Sequence, residues 1–198
     1  MKKVILLIIV FVVPVACYII LTTGENHFKS LPYYEASGVV DTSVQTVNLP
    51  GNFELNGVIT AIAIVKPNSK DTADRVYSGF SRVDKRFQAA KSVQFLSLYS
   101  EVDSSAQFFE FIKQFEGEKS RLSLHKIRMD NWNDVLDMLH LNQENNPAGK
   151  DIEAEFAVVL LDKSRQIRGY YDGLDYHDYT KVIDDIKVLL VEEKKKNE

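Results

Sequence analysis

The sequence holds a single cysteine, Cys17. No intramolecular disulfide can form, and no C-x-x-C redox pair exists. That one thiol falls inside an N-terminal apolar run, so disulfide usage reports nothing about the redox compartment. Basic clusters are equally scarce. The net charge is -4, and no Lys/Arg group interleaved with aromatics marks a nucleic-acid surface. The basic run Lys194, Lys195, Lys196 stands beside Glu192, Glu193 and Glu198 and reads as a solvated helix end. A glycine-rich phosphate loop and a G-x-S-x-G nucleophile elbow are both missing, which removes two large enzyme classes. Internal repeats, heptads and low-complexity segments are also absent.

What is present begins at the N-terminus. Residues 4–21, VILLIIVFVVPVACYIIL, form an uncharged run just long enough to span a bilayer as a helix. Lys2 and Lys3 precede it, so the positive-inside rule keeps the N-terminus in the cytoplasm. Pro14 is tolerated in a membrane helix. Two other readings stay open. A cleaved signal peptide wants small residues at its cleavage site, and Pro14 before Ala16 is a poor match. A lipoprotein acylated at Cys17 wants a Leu-like residue three positions earlier, where Pro14 stands, and a polar start after the cysteine, where the apolar run continues to Leu21. An uncleaved anchor is therefore expected. All three readings put the rest of the chain outside the cytoplasm.

The expected organisation is a cytoplasmic tip and anchor over residues 1–23, a linker and extension over 24–56, and one domain over 57–198. The linker carries Gly24, Pro32, Gly38, Pro50 and Gly51, with a short alternating stretch at 43–49 as a candidate strand. Residues 57–65, GVITAIAIV, are β-branched and uncharged, the pattern of a central strand buried on both faces. A helix follows, with Asp71 as N-cap candidate and Val76, Phe80, Val83 and Phe87 as its apolar stripe. Residues 92–99 predict a second strand. Residues 104–117 predict a helix carrying Phe108, Phe111, Ile112 and Phe115, with Phe109 off that stripe. A third strand is expected at 122–127 and a short helix at 132–141, capped by Asn131. After a polar loop at 142–151, strands at 156–161 and 166–171 form a hairpin around Lys163, Ser164 and Arg165. A last helix runs over 176–192, burying Val182, Ile183, Ile186, Leu189 and Leu190. This order predicts an α/β fold with a mixed sheet.

Three stretches resemble SCO/SenC family proteins. They are GENHFKSLPYY at 24–34, VVLLDKSRQIRGYYDG at 158–173 and VIDDIKVLL at 182–190. The resemblance implies a thioredoxin-like mixed sheet flanked by helices behind an N-terminal membrane anchor. Proteins of that family deliver copper to cytochrome c oxidase or reduce its cysteines. They use a C-x-x-x-C loop after the central strand and a distant histidine before the hairpin. Two soft thiolates favour Cu(I), and an imidazole extends the set to Cu(II). In this sequence those positions align with about Ser69, Ala73 and Ala154. No Cys or His occurs between Gly51 and Leu124, nor between Asn142 and Tyr176. The inherited ligand set is gone, so no catalytic residue, metal ligand or cofactor is expected.

Other constellations offer little. None of His27, His125, His140 and His177 pairs at i, i+4 with another His or with Cys. Met138 and His140, with Met129 and His125 upstream, are the closest approach to a soft-metal set, but on a short helix Met138 and His140 fall on different faces. Asp172, Asp175, Asp178, Asp184 and Asp185 lack the order of a calcium loop and suit turns and helix caps. Tyr33, Tyr34, Tyr170 and Tyr171 suit strand packing, with a partner surface as the functional reading. The expected function is a non-catalytic binding or assembly factor at the outer face of the inner membrane, single-pass and facing the periplasm. Its context by resemblance is respiratory oxidase biogenesis, with a membrane or exported protein as partner, and with neither nucleic acid nor a small-molecule substrate. The alternative is a copper chaperone with a rebuilt ligand set; a thiol oxidoreductase ranks last.

Overall fold

The computed structural model describes residues 12–15, 30–43, 45–50, 53–65, 70–100, 122–127, 129–142, 147, 149 and 152–196. Its elements are β1 (Tyr33–Glu35), β2 (Gly38–Val40), β3 (Ile59–Ile64), α1 (Lys70–Phe87), β4 (Val93–Ser100), β5 (Leu122–Ile127), α2 (Met129–Met138), a 3-10 turn (Ala154–Phe156), β6 (Ala157–Leu161), β7 (Ile167–Asp172) and α3 (Tyr176–Lys196). Among the described residues no helix is long and apolar enough to cross a membrane. The expected anchor at 4–21 lies outside them except for residues 12–15, which are helical. The expected helix at 104–117, with Phe109, lies outside them entirely.

Five strands form the main sheet in the order β5-β4-β3-β6-β7. β3, β4 and β5 run parallel, β6 is antiparallel to β3, and β7 is antiparallel to β6. The mixed sheet follows from connection length. Helix α1 is long enough for a parallel crossover, whereas Lys163–Arg165 permit only a hairpin. The hairpin loop is built by Asp162, whose Oδ1 accepts from the backbone N–H of Ser164 (2.9 Å) and Gln166 (3.0 Å). Arg165 closes the turn in the left-handed region at φ 65°.

Every residue of β3 is buried. Ile59, Ala61 and Ala63 join one core with Val76, Phe80, Val83 and Phe87 of α1 and Val182, Ile183, Ile186 and Leu189 of α3. Ile62 and Ile64 join a second core on the other face, with Trp132, Val135 and Leu136 of α2. A strand with a core on each face has no room for charge, which is why this run reads as uninterrupted apolar sequence. β7 divides its tyrosines the same way. Tyr171 enters the α1/α3 core and Tyr170 the other. Their hydroxyls are satisfied inside the protein, Tyr170 donating to the Leu139 carbonyl (3.0 Å) and Tyr171 to Asp185 (2.7 Å). Tyr34 meets Tyr170 edge-on at 5.3 Å. The Tyr170 and Tyr171 rings pack inside the domain, and Tyr34 is half-buried.

Two boundaries differ from the sequence expectation. α2 starts at Met129, before the Asn131 cap candidate, and ends at Met138. Residues 24–56, expected as linker and extension, contribute structure from Leu31 onward. β1 and β2 form a small antiparallel hairpin, and Val47, Leu49 and Leu55 are buried in the α2-side core. The described residues of the candidate strand at 43–49 join neither sheet. They are held instead by Val47, whose N–H donates to the Arg165 carbonyl (2.9 Å). Alternation alone does not secure a ladder, because a strand also needs a free edge at the right place.

Arg168 ties the N-terminal segment to the domain. Its side chain is 1% exposed and sits between Asp162 (3.1 Å) and Glu192 (2.9 Å). The same guanidinium donates to the carbonyls of Leu31 (2.6 Å) and Pro32 (3.1 Å) and lies 4.0 Å from the centre of the Tyr33 ring. Glu192 also accepts from the Leu31 N–H at 2.8 Å. Arg168→Met leaves two carboxylates facing each other without their cation. It is expected to lower unfolding free energy by about 3–5 kcal/mol in urea titration. A loss under about 1 kcal/mol, the range of exposed ion pairs, would mean the cluster is dispensable.

Helix docking makes a second prediction. α3 rests on α1 where Tyr179 covers Gly79, and a Cβ on Gly79 would lie 2.0 Å from the Tyr179 ring. The Tyr179 hydroxyl is fixed by the Gly173 carbonyl at 2.9 Å, so the ring cannot step aside freely. Gly79→Ala, which helix propensity favours by about 1 kcal/mol, is therefore expected to destabilise by about 1–3 kcal/mol through overpacking. Pairing it with Tyr179→Leu in a double-mutant cycle should recover part of that loss.

Candidate functional site

The sheet topology assembles one end of the domain from three places in the sequence. β3 delivers the chain to its C-terminal end, and α1 begins at Lys70 just beyond. β6 runs antiparallel to β3 with Ala63 opposite Val158, so the 3-10 turn Ala154–Phe156 sits beside that same end. β7 returns there as well. The Gly173 N–H donates to the Phe156 carbonyl at 2.8 Å, and a Cβ on Gly173 would lie 2.3 Å from that oxygen. Only glycine allows the close approach that pins the 3-10 turn to the end of β7. Asp175 then starts α3, its Oδ1 accepting from the His177 N–H at 2.8 Å. Asp172 accepts from the Leu174 N–H at 2.8 Å, and Asp178 from the Asp172 N–H at 2.9 Å. Asp172, Asp175 and Asp178 thus do turn and cap work, whereas Asp184 pairs with Lys187 and Asp185 accepts from the Tyr171 hydroxyl.

Of the three ligand-equivalent positions, Ser69 lies outside the described residues. Ala73 is in the first turns of α1, at this end of the sheet. Ala154 is half-buried against the α2-side core. The topology brings positions 73 and 154 to the same end of the sheet, but the residues there offer methyl groups. Among the described residues, no three of His, Cys, Asp and Glu come close enough together to hold a metal ion.

No family model matches the sequence. No curated protein matches it either. Solved structures do. BsSco, described as a member of the Sco family of cytochrome c oxidase assembly proteins, superposes with a TM-score of 0.52 at 12% identity, over 81% of this chain and 91% of its own. A SCO1/SenC family lipoprotein from Bacillus anthracis str. Ames superposes with a TM-score of 0.52 at 16% identity, over 82% of this chain and 94% of its own. The fold is Sco-like. The SCO/SenC resemblance carried by residues 24–34, 158–173 and 182–190 holds at the level of the fold, which is a thioredoxin-like α/β arrangement with a mixed sheet.

Within this Sco-like fold those stretches converge. Leu31 and Pro32 come from the first, and Asp162 and Arg168 from the second. Glu192 follows the third by two residues, and all five meet in the buried ion cluster. The sequence likeness therefore marks a structural knot at the opposite end of the sheet from positions 73 and 154.

A second place on the Sco-like domain brings together residues the sequence separated. A cleft of about 280 Å³ is lined by Tyr34, Gln45, Thr46, Met138 and His140 among others. Met138 and His140 were expected on different faces of a helix. They share this cleft because α2 stops at Met138 and His140 takes a left-handed backbone, φ 54°. The sequence carried no glycine there to signal the turn. His125 is paired with Leu98 on β5, and Met129 opens α2. His177 is exposed at the start of α3, and His27 lies outside the described residues.

Burial holds the His140 imidazole below its ordinary value of 6.5, against weaker upward pulls from the Asp137 backbone and the Glu35 charge. The unfolded chain then binds a proton more readily than the folded one. The stability this group contributes is present above pH 6.5 and is lost as pH falls through the lowered folded value. His140→Asn keeps a residue that tolerates the left-handed backbone. Between pH 7.5 and pH 5 the urea midpoint of the parent is expected to fall further than that of the variant. Parallel declines would show that His140 is not buried as described.

Proposed function

We propose that this chain is a membrane-anchored, extracytoplasmic Sco-like protein that works without thiol or copper chemistry at the position its fold relatives suggest. It acts as a non-catalytic binding or assembly factor in respiratory oxidase biogenesis. The observation that carries this reading is the ligand end of the sheet. Ser69, Ala73 and Ala154 stand where the family resemblance calls for thiols and an imidazole, and the single thiol in the chain is Cys17. A hydroxyl binds Cu(I) far more weakly than a thiolate, and a methyl group does not bind it. Without two thiols there is no disulfide exchange.

The anchor is residues 4–21, and it gives the domain an orientation. Leu31 is fixed beside Glu192 near the end of α3. α3 starts where β7 ends and runs back along the sheet, so the tether leaves from the end opposite Ala73 and Ala154. The ligand-equivalent end is then the one farther from the tether, where it can meet the exported part of a membrane-protein partner.

A second reading is a copper chaperone with a rebuilt site. It is favoured by the shared cleft of Met138 and His140, a thioether and an imidazole whose proton affinity burial lowers. Titration of the full chain in detergent with Cu(I), against a competing chelator, separates the two. No tight site, together with insulin reduction at the uncatalysed rate and crosslinked capture of an oxidase subunit from membranes, is the expected outcome. One tight equivalent that disappears in Met138→Ala/His140→Ala would establish the chaperone instead. Crosslinking that recovers no membrane protein would count against the assembly role.

A further inference from the structure

A cationic groove of about 470 Å³ opens between α1 and α3. Arg82, Lys85 and Arg86 line it from the last turns of α1, and Thr180, Asp184 and Lys187 line it from α3. Four cations thus face one carboxylate, and Lys187 already engages that carboxylate at 2.7 Å. Asp84, on the same helix, is buried and does not line the groove. In a chain of net charge -4 this is a local reversal of sign. Arg82 supplies an independent observation. Its guanidinium sits 4.3 Å from the ring centre of the exposed Tyr176, and among the described residues its buried Nη1 has no hydrogen-bond partner. A buried guanidinium N–H left unpaired is unfavourable, and an anionic oxygen entering the groove removes that penalty.

We propose that this groove docks on the phosphodiester headgroups of anionic phospholipids, holding the tethered domain against the bilayer. The proposal rests on the membrane-anchored reading above. Residues 22–30, nine in number, separate the apolar run from Leu31 and reach at most about 30 Å when extended. Leu31 is bound at the tether end of α3, where Lys194, Lys195 and Lys196 form the exposed last turn. Lys85 and Arg86 form the last turn of α1, which runs the same way. The α1 side of the groove therefore lies toward the end from which the tether leaves, and its α3 side, Thr180 to Lys187, lies mostly in the first half of that helix. A short tether keeps headgroups at high effective concentration, whereas a soluble acidic segment has to be recruited. That difference favours lipid as the occupant.

The full chain carrying Cys17→Ser and Thr180→Cys, labelled with a fluorophore at position 180, tests this in vesicles containing a headgroup-linked quencher. The vesicles are phosphatidylcholine alone or phosphatidylcholine with phosphatidylglycerol. Quenching is expected to rise when phosphatidylglycerol is present and to vanish at high salt. Replacing exposed cations, as in Lys85→Gln/Arg86→Gln, should weaken the response by about fivefold per charge removed while leaving the circular dichroism unchanged. Quenching indifferent to phosphatidylglycerol, in chain that floats with the vesicles, would overturn the groove and leave the anchor intact. A response to inorganic phosphate or polyglutamate in neutral vesicles, with none to phosphatidylglycerol, would assign the groove to a free anion or an acidic peptide and overturn the lipid. Failure to float with either vesicle would overturn the anchored reading, and this proposal with it.

Discussion

One guanidinium holds the N-terminal segment, the hairpin and the terminal helix together. Arg168 is buried, and Asp162, Glu192 and the Leu31 and Pro32 carbonyls share its donors. A buried charge is tolerable only when geometry and hydrogen bonding are nearly complete. Displacing any one of these partners therefore strands the others. The arrangement converts a local sequence feature, the arginine opening RGYYDG, into a constraint on parts of the chain more than a hundred residues apart. It also fixes where Leu31 and Pro32 join the domain, beside the C-terminal part of α3.

The rest of the core has a different logic. The central strand buries both faces, so its charge-free sequence is a consequence of two helical layers. Glycine allows two close approaches around it, with Tyr179 of α3 lying over Gly79 of α1 and Gly173 lying against the Phe156 carbonyl. The second contact pins the 3-10 turn to the end of β7, and the sheet topology brings both to the end where α1 starts. The scaffold that would present a ligand set is thus in place, with alanine at the two described positions.

Much of this was legible before the structure. The strands at 57–65, 92–99, 122–127 and 156–171, the α1 stripe and the terminal helix all follow from periodicity, because each element buries one face or two in a regular pattern. Asp172, Asp175 and Asp178 also resolved as turns and caps, whereas Asp184 and Asp185 hold Lys187 and the Tyr171 hydroxyl. Less was visible at 24–56, where Val47, Leu49 and Leu55 reach the core without forming a periodic element. Gly and Pro marked that region as a connection, yet irregular backbone can still bury side chains.

Composition alone determined that the chain has one thiol, that no His or Cys stands near the ligand-equivalent positions, and that residues 4–21 are apolar throughout. These are counts of atoms, and no folding alters them. Only tertiary structure decided that Met138 and His140 share a cleft, that Arg82, Lys85 and Arg86 face Lys187 across a groove, and that Arg168 clamps Leu31. Each depends on where two distant segments meet or on how a helix ends, through a left-handed backbone at His140 or the crossing of α1 and α3. Such geometry is set by packing of the whole chain and leaves no periodic trace in any one segment.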